Sequence, residues 1–436
     1  MYNYYIILLG DIMKMSKMGF NSTKLPNLDE MFPAQDMLIK TNQLIMYESG
    51  IFAYDYVPYM LQKKVEDIIA EELNKISCIR VSLPLLQPAT IWKSSGRWNN
   101  YVEDGTMFVL DTDKSTYGLA PTAEEAIVEF AKKKLTSYKT MPVTFYQIGE
   151  KFRNEIRTRG YLTRGKSFLM LDAYSFDINE EESVKSYNNI RDAYFKIFNR
   201  LGFDVIPVIA DNGSIGGKKS EEFMILTDNG EDRILYDKET NKAFNIEILD
   251  KENYKEYLKL EYGITNLDNL EEKRAMELGH IFQLGTKYSE TMKAYYTTKD
   301  NKNMPYYMGC YGIGVSRVVA MLYEMNTIKE NNKVVGVSLP EDLSPFKLYI
   351  VYKKDNEKKM KEATKLYESL TNKGINVLLD DRDIGIGAKI KDSRVLGVPL
   401  VAIFGDNTKE NEFELEDNKT NNKEIVKLNE YLNVDK

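Results

Sequence analysis

The segment that decides the fold runs Phe152-Arg153-Asn154-Glu155, passes through a basic loop, and resumes as Arg164-Gly165-Lys166-Ser167-Phe168-Leu169-Met170-Leu171-Asp172-Ala173-Tyr174. Strand patterns over residues 143–148 and 168–176 flank the loop. Two strands joined in this way can place two guanidiniums on triphosphate oxygens, a carboxylate at an adenine amino group and an aromatic ring flat on the base. Arg153, Arg164, Glu155 and Phe168 supply those groups, so the segment reads as an ATP clamp. Charge alone would not establish it. Lys151, Arg153, Arg157, Arg159, Arg164 and Lys166 fall within sixteen residues against only Glu155, and such a run is ordinarily a solvated loop.

Composition bounds the remaining choices. A chain of 436 residues, 43% hydrophobic and 29% charged, has room for two or three domains with sizeable cores. Its net charge of −7 speaks against a surface that coats nucleic acid, so DNA is not an expected partner and any RNA contact must come from local patches. Cys78 and Cys310 cannot form a disulfide framework or a four-ligand zinc site, which suits a reducing, cytoplasmic location. His280 is the only histidine, which excludes catalysis that needs several and leaves Arg, carboxylates and bound metal as the chemistry. The apolar stretch within residues 1–10 is too short to span a bilayer and lacks the features of a leader, so no membrane association is expected. Met13, Met15 and Met18 follow closely, and residues 1–17 read as an N-terminal extension.

Outward from the clamp, helical spacing of Ile51, Val57, Leu61, Val65, Ile68, Ile69 and Leu73 predicts one long amphipathic helix within residues 37–75. Residues 79–88 read as a strand ended by prolines and residues 91–98 as a turn. Further strands are predicted at 107–110, 204–208 and 280–284, and a helix at 182–201. The stretch 241–277 is charged and apolar-poor, and reads as a surface connection. This irregular alternation predicts an α+β domain with a largely antiparallel sheet. After Pro340 and Pro345 the order changes to strand 346–351, helix 357–373, strand 375–379, helix 388–396 and strand 400–404, a small α/β domain with parallel pairing.

The 152–174 pattern resembles motif 2 of the class II aminoacyl-tRNA synthetases. Further segments resemble the bacterial-type prolyl-tRNA synthetases within that class. Gly118-Leu119-Ala120-Pro121-Thr122-Ala123-Glu124-Glu125 is similar to their T-x-E loop, whose hydroxyl and carboxylate hold the proline secondary amine. A capping box from Thr122 to Glu125 accounts for the same residues locally, and both readings can hold together. Gly312-Ile313-Gly314-Val315-Ser316-Arg317 resembles motif 3, where an arginine meets the γ-phosphate, and the preceding Met308-Gly309-Cys310-Tyr311 makes it specific to the prolyl enzymes. Pro84 matches motif 1, which implies a homodimer. Residues 212–217 and 230–232 are family-like as well.

The resemblance implies proline–tRNA ligase activity through prolyl-adenylate, with ATP, Mg²⁺, proline and tRNA(Pro) as partners. It places Arg153, Glu155, Arg164, Phe168, Glu277, His280 and Arg317 at ATP, with Arg153 and Arg317 catalytic and Glu277 at the metal. Thr122, Glu124, Arg153, Phe282 and Cys310 fall at proline. It implies a class II catalytic domain over 18–340 and an anticodon-binding domain over 341–436, with Arg382, Lys389 and Arg394 at the anticodon. A short connection over 248–276 stands where related enzymes carry an editing insertion, so a non-editing enzyme is expected. Two departures bear on motif 2: Ser167 replaces a family glutamate, and Gly160-Tyr161 reverses an aromatic-glycine order. In the C-terminal segment a proline before Gly387 is missing, and Arg394 stands where an acidic residue is usual. Two other functions share parts of this pattern. A paralogue loading proline onto another acceptor need not keep a complete C-terminal domain, and a non-catalytic RNA-binding subunit need not keep Arg153, Glu155, Thr122, Glu124 and Arg317 together.

Overall fold

The computed structural model describes residues 14–20, 27–210, 215, 219–240, 242–250, 253–264 and 266–433. Residues 1–13 of the expected extension, and the 212–217 run apart from Ile215, lie outside the described residues. The chain divides into two compact units, one of residues 65–159 and 164–318, the other of residues 1–64, 160–163 and 319–436.

A nine-stranded sheet forms the first unit. In spatial order its strands are Lys219–Leu226, Ile206–Ile209, Lys242–Asn245, Asp232–Asp237, Leu270–Gly285, Tyr307–Gly314, Ser167–Asp177, Val143–Phe152 and Ile79–Arg80. Pairing is antiparallel except for Ile79–Arg80 on Val143–Phe152 and Lys242–Asn245 on Ile206–Ile209. The expected α+β class with a largely antiparallel sheet is what forms. Helix Glu180–Arg200 packs on one face against the strands Ser167–Asp177, Leu270–Gly285 and Tyr307–Gly314. Its buried Tyr187, Ile190, Tyr194, Ile197 and Phe198 recur every three or four residues, and Asn179 caps it by accepting from the Glu182 amide. Burial of each such side chain contributes roughly 1.5–3 kcal/mol. A second apolar cluster, including Ile127, Val128, Phe176, Leu284 and Met308, joins helix Glu124–Lys134 to the sheet. The central strands are thereby fixed from both faces.

Three expectations are corrected. Within residues 37–75 there is no single helix: Pro33–Lys40 ends where Asn42 takes φ 58°, a hairpin of Leu44–Glu48 and Ile51–Tyr54 turns at Gly50, and only then does Tyr56–Lys75 begin. Left-handed Asn42 and Gly50 (φ 84°) are the breakers that apolar spacing overlooks. Residues 91–98 are not a turn but parts of two short helices, Ala89–Ser95 and Trp98–Glu103, hinged at Gly96 with φ 79°. The stretch 241–277 is not a bare connection. It holds strand Lys242–Asn245, helix Tyr254–Tyr262 and the first half of the sixteen-residue strand Leu270–Gly285. Cross-strand ion pairs from Arg233 to Glu272 and Lys238 to Glu271 account for the charge that masks the strand.

In the second unit, a five-stranded sheet has the order Val377–Asp380, Leu348–Tyr352, Leu400–Phe404, Glu412–Asp417, Lys423–Lys427. The first three are parallel and connected through helices Glu357–Asn372 and Ile386–Val395, as expected. The last two, charged and antiparallel, form an edge that the sequence reading did not include. The reversed Gly160-Tyr161 pair also belongs to this unit. Both residues have positive φ, and a side chain at Gly160 would meet the Phe32 ring at 2.8 Å. Tyr161 donates to Asp36 Oδ1 at 3.1 Å.

Candidate functional site

Antiparallel register sets Phe152 opposite Ser167 and Lys151 opposite Phe168, so the hairpin opens at Arg153 with Phe168 beside it. The Arg153 guanidinium lies over the Phe168 ring at 5.2 Å, and its Nε donates to the Pro121 carbonyl at 3.3 Å. Glu155 and Arg164 face each other across the loop, Oε2 to Nε 3.1 Å. Ser167, where a glutamate was expected, donates to Glu150 Oε2 at 2.9 Å, so a carboxylate reaches this spot from the facing strand.

The long strand contributes the acidic side. Register brings Glu222 opposite His280 and Glu277 opposite Met224, while His280 faces Gly312 on the other neighbour. Arg317, in the first turn of helix Val315–Met325, donates from Nη1 to Glu277 Oε2 and to the Glu277 carbonyl, each at 2.9 Å. Burial opposes ionisation of Glu277, yet the His280 hydrogen bond and the Arg317 charge hold its carboxyl well below the usual carboxylate range. Burial, reinforced by the Glu277 and Asp232 charges, pushes Glu222 up to about 9, and burial with the Glu277 charge, against the pull of Arg317, raises Asp232 to about 6. Glu222, Glu277 and His280 hold donor atoms within 4.8 Å of one another. Hard carboxylate oxygens crowded by their own negative charge suit a divalent cation such as Mg²⁺. His280 stacks on Phe282 with centroids 3.9 Å apart, and its buried Nε2 has no hydrogen-bond partner among the described residues.

Beside Pro121 lies a buried carboxylate pair. Glu124 accepts from Thr122 Oγ1 at 2.6 Å and Arg97 Nη1 at 3.1 Å on Oε2, and from Cys310 Sγ at 3.1 Å on Oε1. Phe282 and Cys310 are directly paired on adjacent strands. Thr122 is no helix cap: Glu124–Lys134 begins after Ala123 without a side-chain cap, and Glu125 turns to Arg97 and Ser95. The capping-box reading is therefore replaced by a side-chain bond between Thr122 and Glu124. The Ala123 amide donates to the Tyr174 hydroxyl, which donates to Asp172, and Asp172 pairs with fully buried Lys151 at 2.7 Å. This chain ties the loop to the hairpin strands.

The family match covers the same frame. The tRNA synthetase class II core domain (G, H, P, S and T) matches residues 106–326, and the anticodon binding domain matches residues 347–434. A proline–tRNA ligase of Rickettsia akari is 36% identical over 406 residues, covering 91% of this chain and 94% of that one. The chain belongs to the proline–tRNA ligase family. A further ligase of the family, from Ehrlichia canis, is 34% identical and covers 96% of this chain and 99% of its own. The prolyl-tRNA synthetase of Giardia lamblia, solved with prolyl-adenylate, shares the fold at TM-score 0.74 and 18% identity, covering 93% of this chain and 76% of that one.

In this ligase-family chain, eleven of the expected site residues, Thr122, Glu124, Arg153, Glu155, Arg164, Phe168, Glu277, His280, Phe282, Cys310 and Arg317, fall in the unit built on the nine-stranded sheet. Arg97, Glu222, Lys151 and Asp172, which the motifs do not mark as site residues, fall in the same unit. The three expected anticodon residues lie differently. Lys389 is fully buried and donates to the Asp380 carbonyl at 2.8 Å. Arg382 is held by Asp380 and Asp392, and Arg394 by Glu330 and Glu416. As the structure stands, these side chains are engaged within the unit, and Lys389 displays no ammonium at the surface.

Proposed function

We infer that the chain activates proline with ATP to prolyl-adenylate and transfers the prolyl group to tRNA(Pro). The observation that carries this reading is the hydrogen bond from Arg153 to the Pro121 carbonyl, which sets an anion-binding guanidinium one residue from the Thr122–Glu124 carboxylate loop. A zwitterionic amino acid needs a buried anion for its ammonium and a nearby cation for its carboxylate, and this junction supplies both. Glu124 and Thr122 hold the amine, with Phe282 and Cys310 beside them. The carboxylate attacks the α-phosphorus and pyrophosphate leaves; the terminal ribose hydroxyl of tRNA then attacks the acyl carbon, losing its proton as AMP leaves. Arg153, Arg164 and Arg317 position the phosphates and neutralise charge, which is the main demand of such transfers. Phe168 offers its face to adenine and Glu155 its carboxylate to the amino group. Glu277, with Glu222, would hold Mg²⁺, which when bound neutralises phosphate charge.

The catalytic domain is assigned to 18–340 and the anticodon-binding domain to 341–436, supported by the two family matches. A homodimer is supported by Leu85 and Leu86, exposed apolar residues next to Pro84. The short interval over residues 248–276 supports a form without an editing insertion. Among the described residues no helix is long and apolar enough to cross a membrane, and a part in translation supports a cytoplasmic location. Pyrophosphate exchange across the twenty amino acids, followed by charging of tRNA(Pro), tests the assignment. Exchange that depends on another amino acid, or exchange without charging, would overturn it.

A further inference from the structure

Glu124 and Glu125 are adjacent, wholly buried acids that share one cation, Arg97. From Nη1 the guanidinium reaches Glu124 Oε2 at 3.1 Å and Glu125 Oε1 at 3.2 Å. Its own position is over-determined. Gly96, left-handed at the end of helix Ala89–Ser95, turns the chain, and the rings of Trp92, Tyr101 and Tyr288 surround the guanidinium at 5.2, 4.7 and 5.3 Å. Tyr101 also accepts a hydrogen bond from Nη2.

Two features set this cluster apart from a closed structural ion pair. The first is charge: two carboxylates meet one guanidinium, so the buried group lacks one positive charge. Lys287, whose field also reaches the pair, donates its Nζ to the Ile215 carbonyl instead. The deficit is met by a proton or by an arriving cation, and burial together with the neighbouring Glu124 charge pushes Glu125 up to about 7. The second is the division of labour on Glu124. Oε2 is committed to Thr122 and Arg97, whereas on Oε1 the side-chain donor among the described residues is the Cys310 thiol, a weak donor that a substrate N–H displaces readily. Burial acts against ionised Glu124, but Arg97 and the Thr122 hydroxyl keep its carboxyl below the usual range. A charge-assisted bond to an ammonium is available there at neutral pH.

We propose that Arg97 is a positioning residue for amino-acid recognition: by anchoring Oε2 of Glu124 while sharing its charge with Glu125, it reserves Oε1 for the ammonium of the amino-acid substrate. This rests on the placement of Glu124 at the substrate amine. The test uses the full-length enzyme in pyrophosphate exchange, with KM for proline and KM for ATP measured separately. Arg97→Gln should raise KM for proline at least tenfold with KM for ATP within twofold, and Arg97→Lys, which keeps the charge but not the fork, should recover a substantial part of that loss. Unchanged KM for proline, or proportional rises in both constants, would overturn the inference. Should R97Q fail to fold, R97K decides by the same comparison: a selective rise in KM for proline supports the role, and no rise or a parallel rise refutes it. Glu124→Gln separates the two readings. If E124Q leaves KM for proline unchanged, the placement of Glu124 fails and the inference with it; if E124Q raises it while R97Q does not, only the role of Arg97 fails.

Discussion

Arg317 binds Glu277 twice through a single nitrogen, at the carboxylate and at the backbone carbonyl, both 2.9 Å away. The arginine, in the first turn of its helix, is thereby held by the strand Leu270–Gly285. A cation fixed in advance of the reaction costs no reorganisation when charge develops on a phosphate. Arg317→Ala should therefore lower proline-dependent pyrophosphate exchange by about 10²–10³-fold, the loss typical of one preorganised donor. Circular dichroism should stay unchanged. Exchange within a fewfold of wild type would remove Arg317 from the phosphate site.

Arg153 has a different position, between the Phe168 ring and the Pro121 carbonyl. It serves ATP and proline at once in the proposed reaction. Arg153→Ala should abolish exchange at any attainable concentration of either substrate, whereas loss that saturating proline alone restores would confine the residue to the amino-acid side.

Much of this site was legible because its chemistry sits in short segments. Arg153, Glu155, Arg164 and Phe168 occupy one hairpin, and Thr122 and Glu124 one loop. Arg97 was hidden for a geometric reason: it meets Glu124 only because left-handed Gly96 separates two helices in a stretch that reads as a turn. Its one local sign was an arginine among Trp92, Trp98 and Tyr101. Glu222 was hidden because register on the long strand, set across more than fifty residues, brings it to His280. In the fold, apolar spacing found Tyr56–Lys75 but ran it through a hairpin, since period counting is blind to the sign of φ at Asn42 and Gly50. Lys389 and Arg394 show the converse limit. A basic residue in a family-like segment can be consumed by internal carbonyls and acids, and only burial reveals it.

The buried pair of Lys151 and Asp172, 2.7 Å apart, anchors Tyr174 and through it the Ala123 amide. Removing one partner strands a charge where water cannot reach it, at a cost of about 3–5 kcal/mol. Lys151→Met should lower the thermal midpoint clearly, and the double variant Lys151→Met/Asp172→Leu should regain part of the loss. A double variant no better than the single one would mean that packing, not the uncompensated charge, sets the cost.

Glu324 gives a stability signal with a defined sign. Its carboxylate accepts from the Gln35 and Ala34 amides at 3.0 and 3.3 Å, and burial, with the nearby Asp29 charge adding to it, pushes its pKa up to about 7. A folded pKa above the unfolded value near 4.5 means that the folded state holds the proton more tightly. The favourable contribution is complete below pH 4.5 and is lost as pH rises through 7. Glu324→Gln, which keeps one acceptor, should escape that loss, so its stability relative to wild type should improve by roughly 3 kcal/mol between pH 4.5 and pH 8. Thermal melts of both proteins at pH 5 and pH 8 measure the difference, and a gap that does not change with pH would show that Glu324 does not titrate there.

A final expectation concerns fidelity. An apolar pocket shaped for proline excludes a smaller amino acid only weakly, since a missing methylene is worth about 1–3 kcal/mol. Larger discrimination needs a second, hydrolytic site. Residues 248–276, the short connection expected in place of an editing insertion, hold the helix Tyr254–Tyr262 and the strand entering at Leu270, which share a small apolar cluster with Ile248, Leu258 and Ile264. We expect the purified enzyme to form alanyl-tRNA(Pro) at a measurable rate and to leave it intact over the spontaneous hydrolysis time. Deacylation faster than the uncatalysed rate, on addition of preformed alanyl-tRNA(Pro), would show an editing centre elsewhere in the chain. The same assay with added Glu124→Gln enzyme would then tell whether the synthetic pocket is responsible for it.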